Sequence, residues 1–383
     1  MFDQLHRRGV IRARAFGTRP TTPYGTADLS ITVDVLPSVT STLGRLPLGH
    51  RAADMLESRM GRPVGHLIGF DRALGAGVQI VNARETFQPS SQLACRYRSS
   101  HPRARVVVSV FENIPFRYED SAVLAKVKDE VRDRADLFVA NSPETRRALE
   151  LEGVPAYRVR VIPPGVDTDR FSPGCATAAI RAKWRVTEGQ VAIVYAGRLI
   201  REKGLVELVT ALAPQLRGAQ RDAPVLVLHG AGPEEPRLRR TVAALGLAHA
   251  VRFSDWTETH RMPDVYRSAD LVVMPSLPTP YWSEQFGFNL VEAMACGRAV
   301  LSTNSGSIPS VVGDAAVLVP PYNPDALAAE LARLVEDPVR RVELGTTARR
   351  WAVDTYSVDR AGRQLVDAFE EVMGWPPRPV ADA

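Results

Sequence analysis

At 383 residues, 45% hydrophobic and 24% charged, the chain has the composition of a soluble globular protein long enough for two domains of ordinary size. No apolar run approaches the ~20 residues that a membrane-spanning helix needs, and MFDQLHRRG has no apolar stretch behind its charges, so neither a span nor a secretory signal is expected. Cys95, Cys175 and Cys296 have no CxxC spacing and no histidine neighbour, which leaves no zinc site and no disulfide framework and points to a reducing cytoplasm.

In chain order, Phe2 to Arg8 reads as the end of a helix and Val10 to Phe16 as a strand. Leu29 to Leu36 reads as a second strand, Pro47 to Met60 as a helix, and Val78 to Asn82 as a short buried strand. Ser90 to Arg98 is helical, and RVVVSVF from Arg105 to Phe111 is the strongest strand of the first half. An amphipathic helix follows from Glu119 to Arg134, then a strand from Leu137 to Asn141. Ser142-Pro143-Glu144 supplies an N-cap, a proline at the first helical position and an acid in the first turn. Val159 to Ile162 closes the set, and Pro163-Pro164-Gly165-Val166-Asp167 is a turn cluster fit for a domain boundary.

The pattern then restarts. Strands are expected at 191–196, 224–229, 250–253, 271–274 and 299–301, with helices at 203–217, 234–246, 261–268 and 288–295. Helices at 324–336, 338–355 and 358–373 complete the chain, and the proline-rich tail from Trp375 is expected to be loose. Strands alternating with helices predict α/β domains, each a doubly wound parallel sheet. The expected division is 1–165, 166–355, and a terminal helix and tail at 356–383.

The charge is uneven. Residues 1–150 hold 22 Lys+Arg against 16 Asp+Glu, an excess of six; residues 151–383 hold 26 against 27. Two readings fit: a face that meets an anionic membrane surface or a phosphorylated acceptor, or a solvated arginine-rich surface. Nucleic acid is not expected, because the basic residues are scattered and no binding module is present.

The chemistry concentrates in Tyr281 to Pro309, YWSEQFGFNLVEAMACGRAVLSTNSGSIP. Glu284 and Glu292 stand eight positions apart, the first in a loop or at a helix start and the second about two turns in. The N–H groups at Phe286, Gly287, Phe288 and Asn289 fall at that start, which suits an anion through unpaired donors and the helix dipole. A phosphate flanked by two carboxylates suits a ligand rich in both phosphate and hydroxyls, such as a nucleotide sugar. By spacing alone the pair also fits a surface glutamate beside a core-packing helix.

A second element ends the strand at 191–196. In AGRLIREKG, Gly197 and Arg198 leave the strand and Lys203 opens the next helix. Two cations at the carboxyl edge of a parallel strand suit a diphosphate, although a pair of exposed helix-start cations is the plainer reading. Only four of the 48 basic residues are lysines, at 126, 128, 183 and 203, so a lysine at 203 stands out in an arginine-writing chain. HGAGP at 229–233 lacks the third glycine of a dinucleotide loop, having Glu235 there, and two glutamates follow it. After the strand at 105–111 comes Glu112-Asn113, which can hydrogen-bond sugar hydroxyls or be an ordinary loop.

E-x7-E running into EAMACG, together with AGRLIREKG and VIPPGVDTDRF, resembles the retaining glycosyltransferases of the GT-B fold, family four and its relatives. The resemblance implies two Rossmann-like parallel-sheet domains facing a cleft, with the acceptor side first, the donor side second, and the last helix crossing back. It implies a nucleotide diphosphate sugar donor, a hydroxyl acceptor, and no metal or other cofactor. By resemblance, Arg198 and Lys203 hold the leaving diphosphate, Glu284 contacts the transferred sugar and Glu292 the ribose. HGAGP becomes a tight turn near the nucleotide, whose base is expected beside Phe253 to Trp256. Many relatives place a histidine where this chain has Glu112. Their first strand and Gly-rich loop are absent here, so a start upstream of Met1 is expected, the alternative being a chain that does without them. A GT-B-shaped nucleotide-sugar-binding protein without transfer activity is the alternative.

Overall fold

The structure, a computed structural model, describes residues 2–7, 9–17, 32–36, 67–217 and 223–375. The helix expected at 47–60 lies outside those residues. The chain divides into two compact units: Met1–Pro164 with Ala361–Ala383, and Gly165–Arg360.

In the first unit, β1 (Arg14–Gly17) pairs in parallel with β2 (Thr32–Val35). The expected strand over 10–16 begins late, because the preceding helix Phe2–Arg7 is closed by Gly9 at φ 71°, with Val10 N–H donating back to the Leu5 carbonyl. A separate four-stranded parallel sheet has the order β3 (Ile80–Arg84), β4 (Arg105–Val110), β5 (Leu137–Ala140), β6 (Val159–Val161). The near-continuous valine run of β4 is what a strand covered on both faces requires. Val106, Val108 and Val110 join one apolar cluster, while Val107 joins another with Leu137 and Val139. Leu365, Ala368 and Val372, spaced along one stripe of the helix Val358–Gly374, complete that second cluster. Arg105 secures the helix end: its Nε donates to the Val372 carbonyl at 3.1 Å and its Nη2 to that of Trp375 at 2.7 Å.

In the second unit, six parallel strands run in the order β12 (Val317–Val319), β11 (Ala299–Thr303), β10 (Leu271–Met274), β7 (Ala192–Ala196), β8 (Val225–His229), β9 (Val251–Ser254). β7 is the first of these in the chain, and the winding reverses between it and β10. Doubly wound sheets bind ligands outside the carboxyl ends of their strands at such a switch point. The strand β12 was not expected from the sequence. Neither was the helix Ile308–Val312. Among the described residues no helix is long and apolar enough to cross a membrane.

Candidate active site

The exit of β7 sits tightly against its neighbours. Gly197 (φ 153°) passes the helix Phe288–Ala295 so closely that a Cβ would lie 2.7 Å from Asn289 Nδ2. That amide donates to the Ala196 carbonyl, the last of β7. The Tyr195 hydroxyl donates to the Arg198 carbonyl at 2.6 Å and fixes the same turn from below. On the other side lies HGAGP. Gly197 N–H donates to His229 and Leu199 N–H to Ala231, each at 2.9 Å. A Cβ at Gly230 would fall 1.9 Å from the Gly197 carbonyl oxygen, and one at Gly232 would fall 2.2 Å from that of Leu199. These two glycines therefore serve backbone-to-backbone packing of adjacent loops.

Beyond the turn, Arg201–Lys203 forms a short 3-10 segment, and the helix Leu205–Leu216 starts only after Gly204. The expected helix start at 203 is displaced because Gly204 is left-handed, at φ 65°. A Cβ there would lie 2.1 Å from the Pro275 carbonyl, so this turn packs directly on the exit of β10. Leu277 N–H donates to the Glu202 carbonyl at 2.7 Å across the same seam.

That seam brings Lys203 to Glu284. Nζ lies 2.5 Å from Oε2, and the two residues are 8% and 9% exposed. The Ser276 hydroxyl donates to the same oxygen at 3.0 Å, and Nζ lies 5.3 Å from the centre of the Trp282 ring. Glu284 is itself seated on the turn after β11: Ser307 N–H donates to its carbonyl at 2.8 Å, and a Cβ at Gly306 would collide with that oxygen. Arg198 is exposed, and its guanidinium forms no ion pair with the described residues.

The helix Phe288–Ala295 is entered from Gly287 at φ 83°. Glu292 is thus just over one turn in, rather than two, because the left-handed glycine bars the helix from starting earlier. Asn289 and Glu292 are three residues apart and share a face. Glu292 accepts the Tyr266 hydroxyl proton at 2.8 Å, and burial raises its carboxyl to about 7. The Phe286 ring is core, edge-on to Phe288 at 4.9 Å and to Tyr356 at 5.5 Å, so only its backbone can face a ligand. Phe288 is exposed.

At the end of β8, His229 Nδ1 lies 3.0 Å from Ser254 Oγ, while Nε2 has no partner among the described residues. Burial lowers this imidazole to about 4, so it is neutral at physiological pH. Tyr266, Ser276 and Trp282 were not singled out in the sequence. They reach Glu292, Glu284 and Lys203 from elements whose approach no local pattern encodes.

In the first unit, Glu112 follows β4 and is half-buried, with Oε1 accepting the Ile114 N–H at 2.9 Å and burial raising its carboxyl. Its neighbourhood holds a second acid, Glu85, at the end of β3. Beneath the loop that follows, Lys128 is buried and donates to the Arg117 carbonyl at 2.9 Å and to Glu152 at 2.7 Å.

An exposed arginine, a buried Lys–Glu pair and a helix start follow the strands at the switch point of a parallel sheet, where doubly wound sheets bind ligands. Residues 177–351 match the family described as glycosyl transferases group 1, and residues 35–170 match glycosyltransferase family 4. The chain belongs to the group 1 glycosyltransferases and has the GT-B fold. It is 29% identical to the D-inositol 3-phosphate glycosyltransferase of Corynebacterium jeikeium over 97% of this chain and 89% of that one. It is 35% identical to the protein of that name in Nocardiopsis dassonvillei, over 63% of this chain and 57% of that one. The match thus spans little more than half of the Nocardiopsis protein's length. The structure resembles Anabaena HepE in complex with UDP, with a TM-score of 0.70 and 19% identity over 89% of this chain and 86% of that one.

Proposed function

We propose that the chain is a retaining glycosyltransferase that moves a hexose from a nucleotide diphosphate sugar to a hydroxyl acceptor. The carrying observation is the meeting of Lys203 and Glu284 at the β7/β10 switch point, with Arg198 exposed on the turn that leaves β7. Arg198 and Lys203 offset the charge that grows on the departing diphosphate, the kind of electrostatic stabilisation expected to dominate. The N–H groups of Phe286 to Asn289 add donors to the phosphates, and Gly197 leaves room for the ligand to approach the backbone. Glu284 orients the sugar and Glu292 accepts from the ribose hydroxyls. Glu112 contacts sugar hydroxyls on the acceptor side. The bond from the anomeric carbon to the acceptor oxygen forms on the face from which the phosphate oxygen leaves. A phosphate oxygen takes the acceptor proton, so neither an enzyme nucleophile nor a metal is required.

The names of the relatives make inositol 3-phosphate the first acceptor to test, and the basic excess of residues 1–150 suits a phosphorylated acceptor. The donor is sought by thermal shift across UDP- and GDP-sugars, because a ligand of the native state raises its melting temperature. A positive donor is then assayed for transfer to inositol 3-phosphate and for hydrolysis. A rise in melting temperature followed by turnover supports the proposal. Donor binding without transfer or hydrolysis favours a nucleotide-sugar-binding protein, and indifference to every nucleotide sugar sinks both.

A further inference from the structure

Glu85 is a non-glycine residue at φ 62°, 6% exposed, at the carboxyl end of β3. Its backbone is tied on both sides: its N–H donates to the Ser109 carbonyl at 2.9 Å, and its carbonyl accepts the Ser91 hydroxyl at 2.6 Å. A left-handed glutamate persists only where its surroundings over-determine it, and such residues cluster at functional sites. What the side chain does from there is specific. Oε1 accepts the Phe111 N–H at 3.1 Å and Oε2 accepts the Glu112 N–H at 3.4 Å. One carboxylate thus holds two successive amides as the chain leaves β4, in place of a next strand residue. The Arg84 guanidinium, 5.0 Å from the centre of the Phe111 ring, covers the same turn.

We propose that Glu85 is a positioning residue for the acceptor: by gripping the amides of Phe111 and Glu112 it fixes where the Glu112 carboxyl meets the acceptor hydroxyls. This rests on the acceptor-side role given to Glu112 above. An extended or right-handed residue at 85 would aim its side chain elsewhere, which accounts for the retention of the strained conformation. Burial raises the Glu85 carboxyl to about 7, while the Phe111 and Glu112 amides and the neighbouring Arg84 pull it the other way.

Two variants separate positioning from folding. Glu85→Gln keeps the shape but turns an NH2 toward one of the two amides. Glu85→Gly adopts the left-handed backbone freely and removes the carboxylate. With inositol 3-phosphate as acceptor and donor saturating, each is expected to raise the acceptor KM by about tenfold or more, with donor KM and kcat little changed. Glu112→Ala should give the same split, and adding Glu85→Gln to it should cost little more, because the first residue acts through the second. A purely structural role would instead lower the active fraction, and with it kcat, at unchanged KM. Amide hydrogen exchange provides the second readout: protection of Phe111 and Glu112 should fall in Glu85→Gln while that of β4 holds. A wild-type acceptor KM in both variants overturns the positioning role. If the wild-type protein transfers no sugar, the acceptor reading fails by itself, and unchanged protection at Phe111 and Glu112 then overturns the grip as well.

Discussion

Lys203 and Glu284 are both buried, and each offsets the cost of taking the other out of water. Breaking such a pair by removing one partner costs about 3–5 kcal/mol, because a desolvated charge is left behind. Lys203→Met is therefore expected to lower the unfolding free energy by about that amount and also to abolish turnover. Arg198→Ala should differ in kind: exposed, and without an ion pair among the described residues, it should leave the urea midpoint unchanged while cutting kcat about a hundredfold. Wild-type turnover in Arg198→Ala would remove the diphosphate role. Of the four lysines, Lys128 and Lys203 are buried and each is bonded to a glutamate, whereas Lys126 and Lys183 are exposed. Glu292 carries a pH signature. Its carboxyl titrates at about 7 when folded against 4.5 ordinarily, so the folded state holds the extra proton between those values and stability falls as pH rises through them. Glutamine does not titrate. The melting temperature of Glu292→Gln should therefore gain on that of wild type as pH goes from 5 to 8, and a pH-independent difference would refute the raised value.

At the scale of elements, the site depends on turns that let backbones touch. Gly204 combines φ 65° with a Cβ position 2.1 Å from the Pro275 carbonyl, so Gly204→Ala must push the 201–203 turn off the exit of β10. Gly246 has a similar φ of 71° but open space around it. Alanine there is expected to cost about 1 kcal/mol, and at Gly204 several-fold more together with most of the activity, as read by urea denaturation and turnover. Equal costs at the two positions would show that the close approach is not structural. The helix Phe288–Ala295 makes the same point from the other side. Its start is set by Gly287 and its placement by Asn289 on Ala196, so one short helix ties a loop of β10 to the end of β7.

At the scale of the whole molecule, the first unit is closed by residues from the far end of the chain. Leu365, Ala368 and Val372 cover the face that Val107, Leu137 and Val139 present, and Arg105 holds the final carbonyls. Ending the chain at Arg360 should uncover that face and abolish the exchange protection of β4 and β5, while β7 and β8 keep theirs. Protection retained in β4 would mean that the sheet stands without its last helix.

The sequence by itself determined the alternation of strands and helices and the repeat of that pattern after residue 165, and it singled out Glu284, Glu292, Arg198 and Lys203 as candidates. Hydrophobic period and turn residues are local signals, and the motif residues stand within short windows. Only the tertiary structure decided what those residues touch. That Lys203 pairs with Glu284, that Tyr266 bonds Glu292, and that Glu85 grips the amides after β4 depend on side chains brought together from 26 to 81 positions apart. Contacts of that range follow from strand order and loop approach, which the glycines permit but no local stretch of sequence states.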